Sequence, residues 1–186
     1  MKTEKPKAKA KPKQAQATQQ GRVNLNIDEQ EMAKLNLEQA RDALSKLPMM
    51  GPAFWLYGRD PRRKYTFIAD MDWLVLPPVV LDQCKLYSNN GIPFGFFTWA
   101  NVSDEIDARL CSGISKLAVH EWHSGPHVWL IDMVAPFGKL DEMLNELKST
   151  NFAGQKIQAL MPDPARGGQV IVREWPAVPA AEANKE

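Results

Sequence analysis

With 186 residues, 44% of them hydrophobic, and a net charge of only +1, the chain has enough apolar material for one medium domain with a real core, which excludes a fibrous or wholly disordered protein. The charge is unevenly placed: residues 1–20 hold six Lys and one Glu, so the basic character belongs to one segment and the remainder is net acidic. No apolar run is long enough to span a bilayer, the Lys-rich start is not followed by the apolar core of a secretory signal, and Cys84 and Cys111 lack zinc-ligand spacing. Two buried free thiols, a cytoplasmic location and no stable membrane insertion are therefore expected.

Residues 1–21 are Lys, Pro, Ala and Gln with little to bury, and read as a disordered tail. A solvated tail is favoured over a basic arm, because the segment has neither the aromatic side chains nor the Arg that would support nucleic-acid binding. From Asn26 or Asp28 to Leu47 the pattern turns helical: Met32, Leu35, Ala43, Leu44 and Leu47 recur near a period of 3.6, giving a packing helix that Pro48 should stop. Phe54, Trp55 and Tyr57 form an aromatic cluster. Asp60-Pro61 favours a turn, and Arg62, Arg63 and Lys64 form a basic triplet that is either a solvated loop or an anion-facing one.

Residues 66–76 carry no clear period, and Pro77-Pro78 should break the chain there. The run from Val79 to Val102 reads as a β-hairpin about Asn89-Asn90-Gly91, with Gly95 marking a bulge or a close backbone approach. Ser103 should cap a short helix over SDEIDARLC. Val128–Val134 reads as a central strand covered on both sides. Alternation puts Trp129, Ile131 and Met133 on one face and Leu130, Asp132 and Val134 on the other. After the Pro136-Phe137-Gly138 turn, an amphipathic helix buries Leu140, Met143, Leu144 and Leu147, and residues 157–161 and 169–175 give two last strands. Residues from Pro176 read as a second tail. The order predicts an α+β (mixed α/β) fold, one domain over residues 22–176 with disordered segments at 1–21 and 177–186.

Phosphate and dinucleotide loops, the GxSxG elbow and HExxH are all absent. His120 and His123 lack a third ligand, so no metal is expected. Asp132 then stands out, because an ionised carboxylate in an apolar run needs a partner. It is either a structural Asp satisfied by backbone N–H groups or an Arg, or it orients a nearby imidazole in an acid–base pair.

Several motifs carry a resemblance: WL at 55 and 56, LP at 76 and 77, TWANVS from Thr98 to Ser103, and above all W-x-SG-x-x-x-W-x-ID-x-x-APFG from Trp122 to Gly138. DP at 163 and 164 and the final strand fit more loosely. Through these the chain resembles the RTX toxin-activating lysine acyltransferases, the haemolysin C family. The resemblance implies a GNAT-like acyltransferase fold, a single domain with a central, mostly antiparallel sheet flanked by helices. It implies transfer of a fatty acyl group from acyl carrier protein to an internal lysine of an RTX-like protoxin, in the cytoplasm, with no bound cofactor, no nucleic acid, and room for a homodimer.

The family's catalytic Asp falls on Asp132. Its pattern WLWxxSPxH meets WLYGRDPRR here, so the position of its catalytic His holds Arg63 and the preceding Ser position holds Asp60. Arg stays protonated and cannot act as a base. Two expectations follow: an active enzyme with Arg63 as an anion contact and His123 as substitute base, His120 being the weaker candidate, or a degenerate relative that only binds. The donor's arm is expected at the strand–helix junction, at Val134, Gly138 and Lys139, near free N–H groups of the helix start.

Overall fold

The computed structural model describes residues 40–177 together with Lys34, Leu37 and Glu38. The tails at 1–21 and 177–186 and about half of the expected first helix lie outside the described residues, Ala177 excepted. From Asp42 on the chain forms one compact unit. Five strands, β1 (Cys84–Asn89), β2 (Ile92–Val102), β3 (His127–Val134), β4 (Ile157–Asp163) and β5 (Gln169–Trp175), lie in sequence order in one open sheet. All neighbours are antiparallel except β3 and β4, which run parallel and are joined by a crossover helix. Helices cover the sheet on both faces. The result is the mixed α/β, GNAT-like architecture implied above.

The strongly patterned elements fall where the sequence puts them. Asn90 (φ 49°) and Gly91 (φ 77°) make the hairpin turn, with both central residues at positive φ as a type I′ turn requires. Gly95 supplies both alternatives read for it. Its strand has a register shift opposite Tyr87/Ser88, and a Cβ there would collide with the thioether of Met143. Ser103 caps its helix by accepting from the Ile106 N–H at 3.5 Å. The amphipathic segment after Gly138 is helical from Leu140 to Thr150 and buries Met143, Leu144 and Leu147.

Four expectations are corrected. Pro48 does not end the helical region: it sits at the start of a 3-10 turn, Leu47–Met49, that leads into α1 (Met50–Tyr57). Pro77 and Pro78 likewise open a helical turn. The segment after α1 forms α2 (Met71–Leu74) and α3 (Leu76–Val80), so β1 starts only at Cys84. Leu44 and Leu47 are 62% and 39% exposed, so that stretch does not bury the stripe its period suggests. Cys84 is half-buried and Cys111 exposed rather than both buried.

The fifth correction matters most. Thr98 of β2 pairs with Asp132, but Trp99 pairs with Leu130, so Ile131 is an extra residue and β3 is bulged there. The bulge reverses the alternation. Val128, Leu130 and Met133 face the crossover helix with Phe97, Trp99 and Leu147. Trp129 and Val134 face the other way, packing with the short helices, and Asp132 goes with them toward Tyr57 of α1.

The segment before β3 is pinned to the sheet by its own chemistry. Trp122 is fully buried, and its carbonyl accepts from Asn101 at 2.9 Å. Gly125 lies so close to β2 that a Cβ would sit 2.6 Å from the Ser103 Cα. Arg109 of α4 (Asp104–Cys111) grips Glu121 with two hydrogen bonds of 2.8 and 2.6 Å. Those bonds, and then the Ala118 N–H, outweigh burial and hold the Glu121 carboxyl down to about 2, from an ordinary value of 4.5. A depressed carboxyl stabilises the fold above its ordinary value and loses that contribution as pH falls toward the folded one. Between pH 4.5 and 2 the Tm of wild type should therefore fall more steeply than that of Glu121→Gln; parallel slopes in thermal melts would remove the clamp from the account.

Candidate active site

Asp132 is 4% exposed, and its carboxylate is met by four donors. Arg63 Nε and Nη2 donate to Oδ1 at 3.1 and 2.9 Å, the backbone N–H of Met133 donates to Oδ1 at 2.9 Å, and the Tyr57 hydroxyl donates to Oδ2 at 2.7 Å. Three donors converge on Oδ1 and one meets Oδ2, so the carboxylate serves as an acceptor on both oxygens. Burial, and then the Asp132 charge, push the Tyr57 phenol well above its ordinary value, so it stays a donor. Burial opposes the charge on Arg63, but Asp132, Tyr57 and Asp60 together outweigh it and the guanidinium is held above its ordinary value.

The loop that brings Arg63 to Asp132 is built on Asp60, which is 2% exposed. The Asp60 carbonyl accepts from the N–H groups of Arg63 and Lys64 at 3.0 and 2.9 Å, closing a tight turn after α1. Its carboxylate accepts from the Arg62 backbone at 2.8 Å and from the Arg62 guanidinium at 3.3 Å. Burial would raise Asp60, but these bonds hold it below the usual range. Arg62 also donates to the Met133 carbonyl at 3.2 Å, tying the loop to β3.

β3 and β4 are paired only from Val128 to Leu130 and from Ile157 to Ala159. Beyond these residues the strands part, and β3 from Ile131 on has no strand partner on that side. A cavity of about 360 Å³ occupies the gap. Arg62, Arg63 and Asp132 form its polar end, and Trp73, Leu130, Ile131, Leu160, Met161 and Val170 supply most of its apolar wall. This size and mixture suit a small, mainly apolar ligand with one polar group.

Sequence order therefore pointed to a pair that the fold brings together, Arg63 and Asp132, and to residues that it places elsewhere. His123 is exposed and shares a hydrogen bond of 3.2 Å with Gln83. It pairs with Asn101, three residues along β2 from Thr98, or about 10 Å at the usual strand rise. His120 is exposed on the same segment, and His127 pairs with Asp104 at 2.6 Å. None of the three lines the cavity beside Asp132. Val134 is fully buried, so its side chain is closed to a ligand.

Gly138 and Lys139, both at positive φ, line a second cavity of about 540 Å³ with Phe137, Ile92 and Phe94, at the start of the crossover helix α5 (Leu140–Thr150). A ladder of Arg59 over Trp55 (3.6 Å) and Trp55 against Phe137 (5.7 Å) ties that turn to α1. Tyr57 is the residue that sequence reasoning missed as part of the site. Its only signal was membership of an aromatic cluster, which core packing explains equally well. Among the described residues no group of three or more His, Cys, Asp or Glu could hold a metal, and no helix is long and apolar enough to cross a membrane.

Comparison with known proteins adds a family to this geometry. Residues 42–176 match the profile of the HlyC RTX toxin acyltransferase family. A leukotoxin-activating lysine-acyltransferase of Aggregatibacter actinomycetemcomitans is 33% identical over 90 residues, covering 48% of this chain and 54% of that protein. The lysine-acyltransferase RtxC of Vibrio cholerae is 32% identical over 113 residues, 59% of this chain and 74% of that one. The protein-lysine myristoyltransferase HlyC of Escherichia coli is 26% identical over 118 residues, 63% of this chain and 69% of that one. The chain thus spans between about half and three quarters of the length of these relatives.

Removing the carboxylate should be felt in stability. Asp132→Ala leaves a buried phenol without its acceptor and a guanidinium without its anion, worth about 2 kcal/mol after allowing for the exposure of Arg63. Urea unfolding measures this, and a loss below about 0.5 kcal/mol would mean that the network contributes little to the fold.

Proposed function

This chain belongs to the RTX toxin acyltransferase family, and we propose that it is a protein-lysine fatty acyltransferase, taking its acyl group from acyl carrier protein and placing it on an internal lysine of an RTX-like protein in the cytoplasm. The observation that carries this reading is the Arg63–Asp132 pair at the polar end of a cavity of mixed lining opened between two strands. The acyl chain suits the apolar wall. The edge of β3 beyond Leu130, where β4 no longer pairs, leaves room for the donor's arm, although the Met133 N–H and carbonyl there already bond to Asp132 and Arg62. On this reading Gly138 and Lys139, in the turn after β3, would meet the far end of the arm.

The reaction joins the lysine Nζ to the thioester carbonyl carbon and breaks the C–S bond. The lysine reacts as the free amine, its ammonium having already given one proton to solvent; the second proton leaves the nitrogen as the C–S bond breaks and goes to the departing sulfur, so the carrier leaves as its thiol. Arg63 presents a fixed cation where the carbonyl oxygen becomes negative, a stabilisation that is strongest in an enclosed site. Asp132 holds that guanidinium. With its oxygens engaged by four donors it is an orienting group rather than a base. Much of the rate then comes from holding lysine and thioester together.

With no imidazole at the cavity, the attacking lysine loses its proton to solvent. The rate should rise with pH from about 6.5 to 9, tracking the free amine of a lysine of ordinary pKa ~10.4. Charged carrier protein, purified acceptor and mass spectrometry of its lysines test this. Asp132→Ala should lose activity by about 100-fold or more, and His123→Ala should change little. An Asp132→Ala protein as active as wild type would sink the site. A second reading, a family member that binds donor or protoxin without turnover, is favoured by the absence of any base beside Asp132. Under it wild type is inactive and Arg63→His creates activity; under the first reading that substitution is neutral or harmful.

A further inference from the structure

We propose that Tyr57 is a positioning residue: by holding Oδ2 of Asp132 it makes Arg63 pair with Oδ1 alone, and so sets the angle at which the guanidinium faces the cavity. An arginine and a carboxylate left to themselves prefer a fork, with two parallel N–H bonds landing on two different oxygens. Here both bonds from Arg63, at 3.1 and 2.9 Å, land on Oδ1. Oδ2 is taken by the Tyr57 hydroxyl at 2.7 Å, the shortest of the four contacts. The Met133 N–H at 2.9 Å holds Oδ1 from the strand side, so the carboxylate plane cannot swing.

Tyr57 is well placed for this task. It is 2% exposed, it is the last residue of α1, and its ring is packed in the cluster with Val134 and Phe96. Burial removes water as a competing partner, so the phenol and Oδ2 depend on each other. Arg63 itself is 38% exposed on its side chain and lines the cavity. Its Nη1 group has no hydrogen-bond partner among the described residues and is the edge available to a ligand's oxygen. Without the phenol, Oδ2 would be a buried acceptor lacking a donor. The nearest remedy is rotation of the carboxylate into a two-oxygen fork with Arg63, which turns Nη1 away from the oxygen it would face.

The test is Tyr57→Phe, which removes one hydroxyl and keeps the ring. A crystal structure of the variant should show Arg63 bonded to both oxygens of Asp132. In acyl transfer from charged carrier protein, kcat should fall about tenfold with KM within about twofold, as expected for lost orientation rather than lost binding. The kinetic arm rests on the acyl-transfer reading; the structural arm does not. A rearranged pair with wild type itself inactive overturns the function and keeps the positioning role. A pair still on Oδ1 alone overturns the positioning role whatever the activity. Should the variant fail to fold, proton NMR of wild type decides. A slowly exchanging Tyr57 hydroxyl proton that shifts in Asp132→Asn supports the proposal, and a freely exchanging one overturns it.

Discussion

A carboxylate buried in the middle of a sheet has to be neutralised and hydrogen-bonded, and the surroundings of Asp132 are arranged to that end. Its partners come from three separate pieces of chain. Tyr57 comes from the end of α1, Arg63 from the turn beyond it, and the Met133 N–H from the strand itself. The second pair, Asp60 with Arg62, holds the turn that delivers the first. The basic triplet read from the sequence is thus divided. Arg62 and Arg63 are each committed to an acid, whereas Lys64 lies over the Tyr65 ring.

One extra residue links this network to the cavity. The bulge at Ile131 turns Asp132 away from the crossover helix and toward Tyr57. A bulge also increases the local twist of its strand. Pairing of β3 with β4 ends at Leu130, immediately before it, and the cavity opens from that point. Pro162, which has no N–H to donate, lies on β4 across the gap. Had β3 kept regular alternation, Asp132 would face the apolar cluster around Leu147 with no donor in reach.

What the sequence made legible follows from what each signal depends on. The hairpin turn, the capped helix, the amphipathic crossover helix and β5 rest on local chemistry, and each stands within a residue or so of its expected place. The bulge does not, because it is a relation between two strands and Ile131 looks like any other apolar residue in a run. Pro48 and Pro77-Pro78 read as stops in the sequence, although proline suits the first turn of a helix as well as it ends one. The pairing of Arg63 with Asp132, 69 residues apart, could be brought together only through a motif. Tyr57 needed the fold itself.

The charge balance of the site narrows what it can accept. Arg62, Arg63 and Asp132 line the polar end of the cavity and the buried Asp60 pairs with Arg62 from behind it, so the four formal charges at and behind this end sum to zero. A full anion entering would meet the fields of Asp60 and Asp132 as well as those of the guanidinium groups, and an ammonium would meet the reverse. A neutral carbonyl avoids both penalties in the ground state and gains from the nearby N–H groups only as its oxygen becomes negative. Under the acyl-transfer proposal this balance would favour the transition state over the bound reactants, which is the difference that catalysis requires. Charges already paired with one another also need no reorganisation when the reaction occurs. A site without a histidine can on these terms still promote acyl transfer, provided that the arginine is held at the right angle and the lysine arrives as the free amine.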